Sequence, residues 1–413
     1  MLTYEEALRE VLAQVPEPKV VRVPLRKSQG RVLAHPVLAD LDLPPFKKSF
    51  VDGYAVRSQD AATAPVKLEV IGVVAAGSQS QPQVEAGQAV QIMTGAAVPP
   101  GADAVQMIEK TRPNGAEVVE LLEPVTKGEN VAPKGNEVRQ GETVLASGRA
   151  LGAAETGVLA TFGHKEVEVY APPTVAVIPT GDEIVEVEEK PVFGQIRNSN
   201  AHTLWAQCDR LGLDAQVFPV TPDDPERTRV VVSQGLHYDL LLFSGGVSMG
   251  EFDYVHRVLE EEGVSVFLQK AAIKPGKPIV VGRKGNRLIF GLPGNPVSAF
   301  VTFELFVRPA VRRWMGFQSP CLPSVRGELV AETRQKPGRK FFKQARTFWK
   351  GDRFLVEPIE TKGSADLVAF SLANSLMVLE ADVTHLPAGE RVEVLLLDNC
   401  LDERNEDETH SRG

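Results

Sequence analysis

Three glycine-rich turns, GGVSMGEFD (residues 245–253), IKPGKP (273–278) and GLPGNP (291–296), adjoin short apolar runs at 240–243, 264–268 and 288–290. Each run is too short for a helix and reads as a strand. Turns stacked at one edge of a sheet can leave backbone N–H groups free to hold an anion. Lys270, Lys274 and Lys277 add cationic heads there, and Asp182, Glu183 and Asp253 add carboxylates. Phosphate donors beside carboxylates point to a phosphorylated ligand held together with a divalent cation.

The surrounding chain has the alternation this reading needs. A strand at 174–178 runs into PTGDE (179–183), and a helix over about 200–211 is closed by Gly212. A strand follows at 215–220. Asp224 then offers a helix cap, with Pro225 in the first helical position. A strand at 239–243, a helix at 254–262, further strands and one helix over 296–315 complete the stretch. Repeated βα units predict a mostly parallel sheet with helices on both faces, its ligand beyond the carboxyl ends of the strands. Outside it, residues 3–15 predict a helix with a Thr3/Glu6 capping box. Residues 20–148 read as mostly β, and 319–398 as a small barrel or sandwich.

At 413 residues the chain is too long for one ordinary core. No apolar run approaches the roughly 20 residues of a membrane helix, and the start, MLTYEEALRE, lacks an export pattern, so a cytoplasmic protein without membrane partners is expected. Cys208, Cys321 and Cys400 match neither a zinc nor a disulfide spacing and are expected to be reduced thiols. The net charge of −9 gives no general attraction for nucleic acid. An anionic ligand must therefore be held by local groups, which makes the clustered lysines more informative.

Each candidate also has a plainer reading. Thr180, Gly181, Asp182 and Glu183 could form a turn with solvated acids. Asp253 could only cap the helix after it, and Asp223 stands beside the capping Asp224. Gly245 and Gly246, followed by Ser248, permit tight turning or close approach of a ligand. Pro293 and Pro296 suit helix initiation, which would leave Gly294, Asn295 and Ser298 where free N–H groups point. Farther upstream, PPFKKSFVDGYAV carries Asp52 and IMTGAAVPPGADAV carries Thr94, both at bends that a turn would explain. None of the seven histidines is scattered into a catalytic spacing, and no Ser/His/Asp pattern is visible.

The segments PPFKKSFVDGYAV, QIMTGAAVPPGADAV, IPTGDEIV, SGGVSMGEFDYV, AAIKPGKPI and GLPGNPVSAF, in this order and spacing, closely resemble the MoeA family. These are the molybdopterin molybdenumtransferases of molybdenum-cofactor synthesis, related to the C-terminal part of gephyrin. The resemblance covers almost the whole chain. It implies a multidomain α/β plus β fold: a linking domain (1–45 and 140–172), a β domain (46–139), a parallel-sheet molybdopterin-binding α/β domain (173–318) and a C-terminal β-barrel-like domain (319–400). A disordered acidic tail (401–413) would follow.

The resemblance further implies a homodimer whose site is shared across subunits. Its substrates would be adenylylated molybdopterin and molybdate, its product side AMP, its cofactor Mg²⁺, and a possible partner the upstream adenylyltransferase. On this basis Asp52 and Thr94 come from the partner subunit, Glu183 and Asp253 hold the metal with Asp223 nearby, and Lys270 and Lys274 meet phosphate or molybdate. Lys277, Ser248 and Ser298 are implied as anion contacts, with Lys343 and Ser364 adding to them from the C-terminal domain. The chain departs from the family pattern at Lys47-Lys48, where an Asp-Asn pair is usual, at residues 132–137, where an arginine is missing, and at Lys343, where arginine is expected. These departures leave a second reading open, a pterin-binding scaffold or specialised paralogue; a third, the pathway's adenylyltransferase, does not account for the additional β domains.

Overall fold

The protein, a computed structural model, is described over residues 1–115, 117–246 and 254–397. It divides into two compact units, one made of Met1–Arg22, Gly30–Ala34 and the chain from Glu168 onward, the other of Val23–Gln29 and His35–Val167.

The first unit is built on a six-stranded sheet in the order Ala215–Val217, Val175–Pro179, Leu240–Ser244, Arg287–Leu292, Pro278–Lys284, Ser265–Lys270. The first four strands are parallel and the last two antiparallel. Val175–Pro179 and Leu240–Ser244 are buried along their whole length, as expected of strands covered on both faces. Val175, Val177, Leu240 and Leu242 face one cluster with Ala201, Leu204 and Cys208 of helix Ser199–Arg210. Ala176, Ile178, Leu241 and Phe243 face another, with Val232 of helix Pro225–Gly235 and Val258 and Leu259 of helix Tyr254–Glu261. From Val175–Pro179 the chain steps outward to one neighbour, then crosses back to the other. Its connections therefore diverge between Val175–Pro179 and Leu240–Ser244, the point at which open α/β sheets bind ligands.

The N-terminal helix, Tyr4–Ala13, carries the expected capping box: Glu6 N–H donates to Thr3 Oγ1 at 3.2 Å and Thr3 N–H to Glu6 Oε2 at 2.9 Å. Ala7 and Val11 enter the sheet's core, and the Tyr4 ring packs edge-on against Phe306 and Phe342. The single helix expected over 296–315 is instead three pieces. An α-helix Pro296–Thr302 passes through a π-helical stretch, Phe303–Val307, into a second α-helix, Arg308–Trp314. Pro309 has no N–H for the carbonyl one turn back, and its ring crowds that carbonyl. Within the wider turn, the fully buried Glu304 is met by Arg210 and Gln207, both at 2.8 Å, and by Arg308 at 3.6 Å.

Beyond Ser324 the strands Lys340–Lys350, Arg353–Pro358, Ser324–Leu329, Arg391–Leu396 and Ser375–Leu379 pair in that order, and the last returns to the first, closing a barrel. Strand Ile273–Lys274 of the α/β region runs parallel to Lys340 and Phe341 at the barrel's edge. The second unit holds another six-stranded sheet, in the order Ala104–Met107, Gly53–Val56, Gln88–Ile92, Val66–Val74, Val118–Leu121, Thr111–Pro113. Among the described residues no helix is long and apolar enough to cross a membrane. Cys208 lies in the core, where burial pushes its thiol up to about 12; Cys321 is exposed, and Cys400 lies outside the described residues.

Candidate active site

A cavity of ≈ 650 Å³ opens at the carboxyl ends of Val175–Pro179 and Leu240–Ser244. Thr180, Gly181 and Glu183 line it from the first strand's turn, Gly245 and Gly246 from the second, and Pro293, Gly294 and Asn295 from the third; Asp223 faces it as well. Gly245 has φ +94°, and a Cβ there would lie 2.6 Å from the Thr180 carbonyl oxygen. Only glycine meets both demands at low cost. At Gly181, φ +139°, a Cβ would meet Glu183 Oε2 at 2.7 Å, so the absent side chain is what lets the Glu183 carboxylate fold back over the turn.

Three N–H groups of the turns are already engaged. Thr180 N–H donates to the Ser244 carbonyl, Gly181 N–H to Thr221, and Gly245 N–H to Leu292, all between 3.0 and 3.1 Å. Interstrand pairing continues one or two residues past each strand and consumes these donors. The start of helix Pro296–Thr302 is likewise engaged: Pro296 has no N–H, and Val297 N–H donates to the Ser364 carbonyl at 3.1 Å. The N–H groups of Thr180, Gly181, Gly245 and Val297 are therefore taken and add nothing to an anion seat at these turns.

The acidic residues do converge. Glu183 and Asp223 both line the cavity, and Asp182 Oδ1 accepts the Asp223 N–H at 3.0 Å. Burial raises the Asp223 carboxyl above its ordinary range, and the charges of Asp182 and Glu183 raise it further. Among the described residues no group of three or more His, Cys, Asp or Glu side chains encloses a metal. One or two carboxylates in a partly buried, negatively charged wall nevertheless suit Mg²⁺, which keeps most of its shell for water and phosphate oxygens. Asp253 and Ser248 lie outside the described residues.

The lysines stand outside the cavity lining, Lys270 paired with Pro278, which does line it. Lys270, Lys274 and Lys277 do not line the cavity. Lys274, in the strand beside the barrel, places Nζ 4.1 Å from the centre of the Phe341 ring. Burial lowers its ammonium below the ordinary lysine range, with Arg339, Lys343 and Lys336 lowering it further. Lys343 Nζ donates to Thr333 Oγ1 at 3.0 Å and pairs with Glu360 at 3.1 Å. Ser364 reaches the helix start through its carbonyl, and its neighbour Ala365 lines the cavity; Ser298 is buried and does not.

Asp52 and Thr94 belong to the other compact unit. The antiparallel pairing of Gly53 with Ile92 brings them to the same sheet end. There the Asp52 carboxylate accepts both the Thr94 N–H (2.6 Å) and Oγ1–H (2.8 Å), which hold it below the usual range. Lys48, one of the departures from the family pattern, pairs with Glu137 at 3.0 Å.

Four cavity residues, Arg197, Asn198, Ser199 and Asn200, were not singled out from the sequence. Their signal was present: an Arg-Asn-Ser-Asn run at the opening of a helix on the sheet's ligand edge. Asn198 is that helix's cap, its Oδ1 accepting the Ala201 N–H at 3.2 Å. Arg197 brings a cation to the wall while its Nε donates to the Glu189 carbonyl at 3.0 Å.

A mixed α/β sheet with a cavity at its switch point, joined to a closed barrel and a further β unit, defines a multidomain small-molecule-binding protein. Residues 2–163 match the MoeA N-terminal region (domain I and II), 176–313 the probable molybdopterin binding domain, and 326–397 the MoeA C-terminal region (domain IV). The chain is 34% identical over 405 residues to the molybdopterin molybdenumtransferase of Staphylococcus epidermidis, covering 96% of both chains. It is equally similar, over 404 residues, to that of Staphylococcus aureus strain Mu50. The molybdopterin biosynthesis moeA protein from Pyrococcus horikoshii OT3 superposes with a TM-score of 0.82 at 30% identity, with 96% of this chain and 100% of that chain covered. The chain belongs to the MoeA family of molybdenum-cofactor biosynthesis.

Proposed function

We propose that the protein inserts molybdate into adenylylated molybdopterin with release of AMP. The observation that carries this reading is the division of charge in the first unit. Carboxylates line the cavity at the sheet's switch point, while a partly desolvated lysine gathers further cations beside the barrel. Two mutually repelling anions, a pyrophosphate and molybdate, need such separated counter-charges.

Glu183 and Asp223 would hold Mg²⁺, which when bound neutralises phosphoryl oxygens as the pyrophosphate bond breaks. Arg197 supplies positive charge to the same wall. Gly245 and Gly246 let the ligand approach the strand ends closely, and Thr180 and Gly181 shape the turn that presents Glu183. Lys274, with Lys343 behind it, offers the oxyanion of molybdate a cation already poorly hydrated. Loss of one such electrostatic contact costs on the order of 2–4 kcal/mol in the transition state. Asp52 and Thr94, in this reading, complete the cavity of a second copy of the chain in a homodimer. The exposed, ionised carboxylate held by Thr94 supports that role. The retained acids favour turnover over a scaffold, since a scaffold needs no metal-bridging set.

The test is incubation of purified protein with adenylylated molybdopterin, Mg²⁺ and molybdate. AMP release is expected to rise with molybdate, and indifference to molybdate would refute the reading. For the shared site, mixed dimers of Asp52→Asn and Glu183→Gln are expected to regain one working centre; no recovery would mean that each site is built within one chain.

A further inference from the structure

Two amides in the cavity wall each have one hydrogen-bonding end without a partner. Asn198 is 2% exposed; its Oδ1 is occupied by the Ala201 N–H, and its Nδ2 finds no acceptor among the described residues. Asn200 is arranged the opposite way: its Nδ2 donates to the Gly294 carbonyl at 2.8 Å, and its buried Oδ1 finds no donor. Both residues line the cavity. A buried amide end left unpaired is costly, and in a cavity wall a ligand can supply the missing partner.

What they lack identifies the chemistry. A pyrophosphate or an ionised carboxylate offers only acceptors and cannot satisfy Asn200 Oδ1. The partner must present a donor to Asn200 and an acceptor to Asn198. A planar heterocycle with an amide-like edge does both. Residues two apart at a helix start do not face one point, which fits groups at the two ends of such an edge.

We propose that Asn198 and Asn200 read the pyrimidinone edge of the pterin, Asn198 Nδ2 donating to the ring carbonyl and Asn200 Oδ1 accepting from the 2-amino group. The phosphate end is then directed toward Glu183 and Asp223. This rests on the pterin reading of the cavity above and assigns which wall meets which end of the ligand.

The experiment titrates the full-length protein with pterin and with lumazine, in which a carbonyl replaces the 2-amino group. Pterin is expected to bind about tenfold more tightly, and Asn200→Leu to reduce the discrimination to about threefold or less. Asn198→Asp keeps an oxygen for the Ala201 N–H but removes the donor. It is expected to weaken pterin about tenfold with thermal stability unchanged. Equal affinity of the wild type for the two ligands, including no measurable binding of either, overturns the proposal. So does competition by AMP that depends on Asn200, because the edge being read would then be adenine. Molybdate-dependent AMP release without pterin discrimination would sink this assignment alone. Discrimination without AMP release would sink the proposed reaction alone.

Discussion

The cavity and the basic patch beside the barrel meet the same difficulty, an anionic ligand on a chain of net charge −9, by opposite means. In the cavity Glu183 and Asp223 stand with two half-paired amides and a single cation, Arg197, among the described lining residues, and the N–H groups of Thr180, Gly181 and Gly245 are taken by strand pairing. In the proposed reaction, affinity for phosphate there would come through a recruited cation and Arg197. In the patch Lys274 is desolvated among other cations and rests on the Phe341 ring, so positive charge is built into the protein. A site that borrows its positive charge responds to metal. A site that owns it responds to pH and salt.

The largest expected effect falls on the borrowed charge. Glu183→Gln should lower AMP release by about 10²–10³-fold, read in a single-turnover assay at saturating molybdate, while leaving molybdate affinity within error of wild type. Equal damage to both would erase the contrast. Next comes Lys274→Met, which keeps the packing on Phe341 and removes the charge. Molybdate affinity should fall roughly 10–100-fold, in line with a lost charge-assisted hydrogen bond, with AMP release in the absence of molybdate preserved.

Gly245→Ala addresses the cavity's backbone. A residue forced to φ +94° against the Thr180 carbonyl should lose about 1–3 kcal/mol of stability, seen as a lowered midpoint in urea. Smaller still is the pH effect. Molybdate favours the charged form of Lys274, so affinity should decline as pH rises through the range in which this ammonium loses its proton. Because burial and neighbouring cations hold it below the ordinary lysine range, the decline should begin at lower pH than for an exposed lysine. Calorimetry in two buffers of different ionisation enthalpy should show proton uptake on binding at alkaline pH.

Much of the fold was legible in the sequence because its signals are local. Thr3 and Glu6 announce a capping box and Asp224-Pro225 a helix start. The uniformly apolar 175–178 and 240–243 announce strands covered on both faces. The break at 303–307 was missed because Pro309 was passed over inside an otherwise helical pattern. Six ordered motifs disclosed the family, yet they could not disclose which N–H groups remain free. That depends on pairing across strands, Gly181 with Thr221 and Gly245 with Leu292, which no single segment contains. The same holds for the lysines. The IKPGKP turn is adjacent in sequence to cavity strands, but its short strand joins the barrel and takes Lys274 with it. Asn198 and Asn200 escaped notice because an asparagine at a helix start is explained by capping alone, and only the structure shows the amide ends left over.

Equilibrium dialysis of radioactive molybdate against the wild type, Glu183→Gln and Lys274→Met tests the separation of the two charges most directly. The account predicts that Glu183→Gln binds molybdate as the wild type does and that Lys274→Met does not. Loss of binding in Glu183→Gln with retention in Lys274→Met would contradict it.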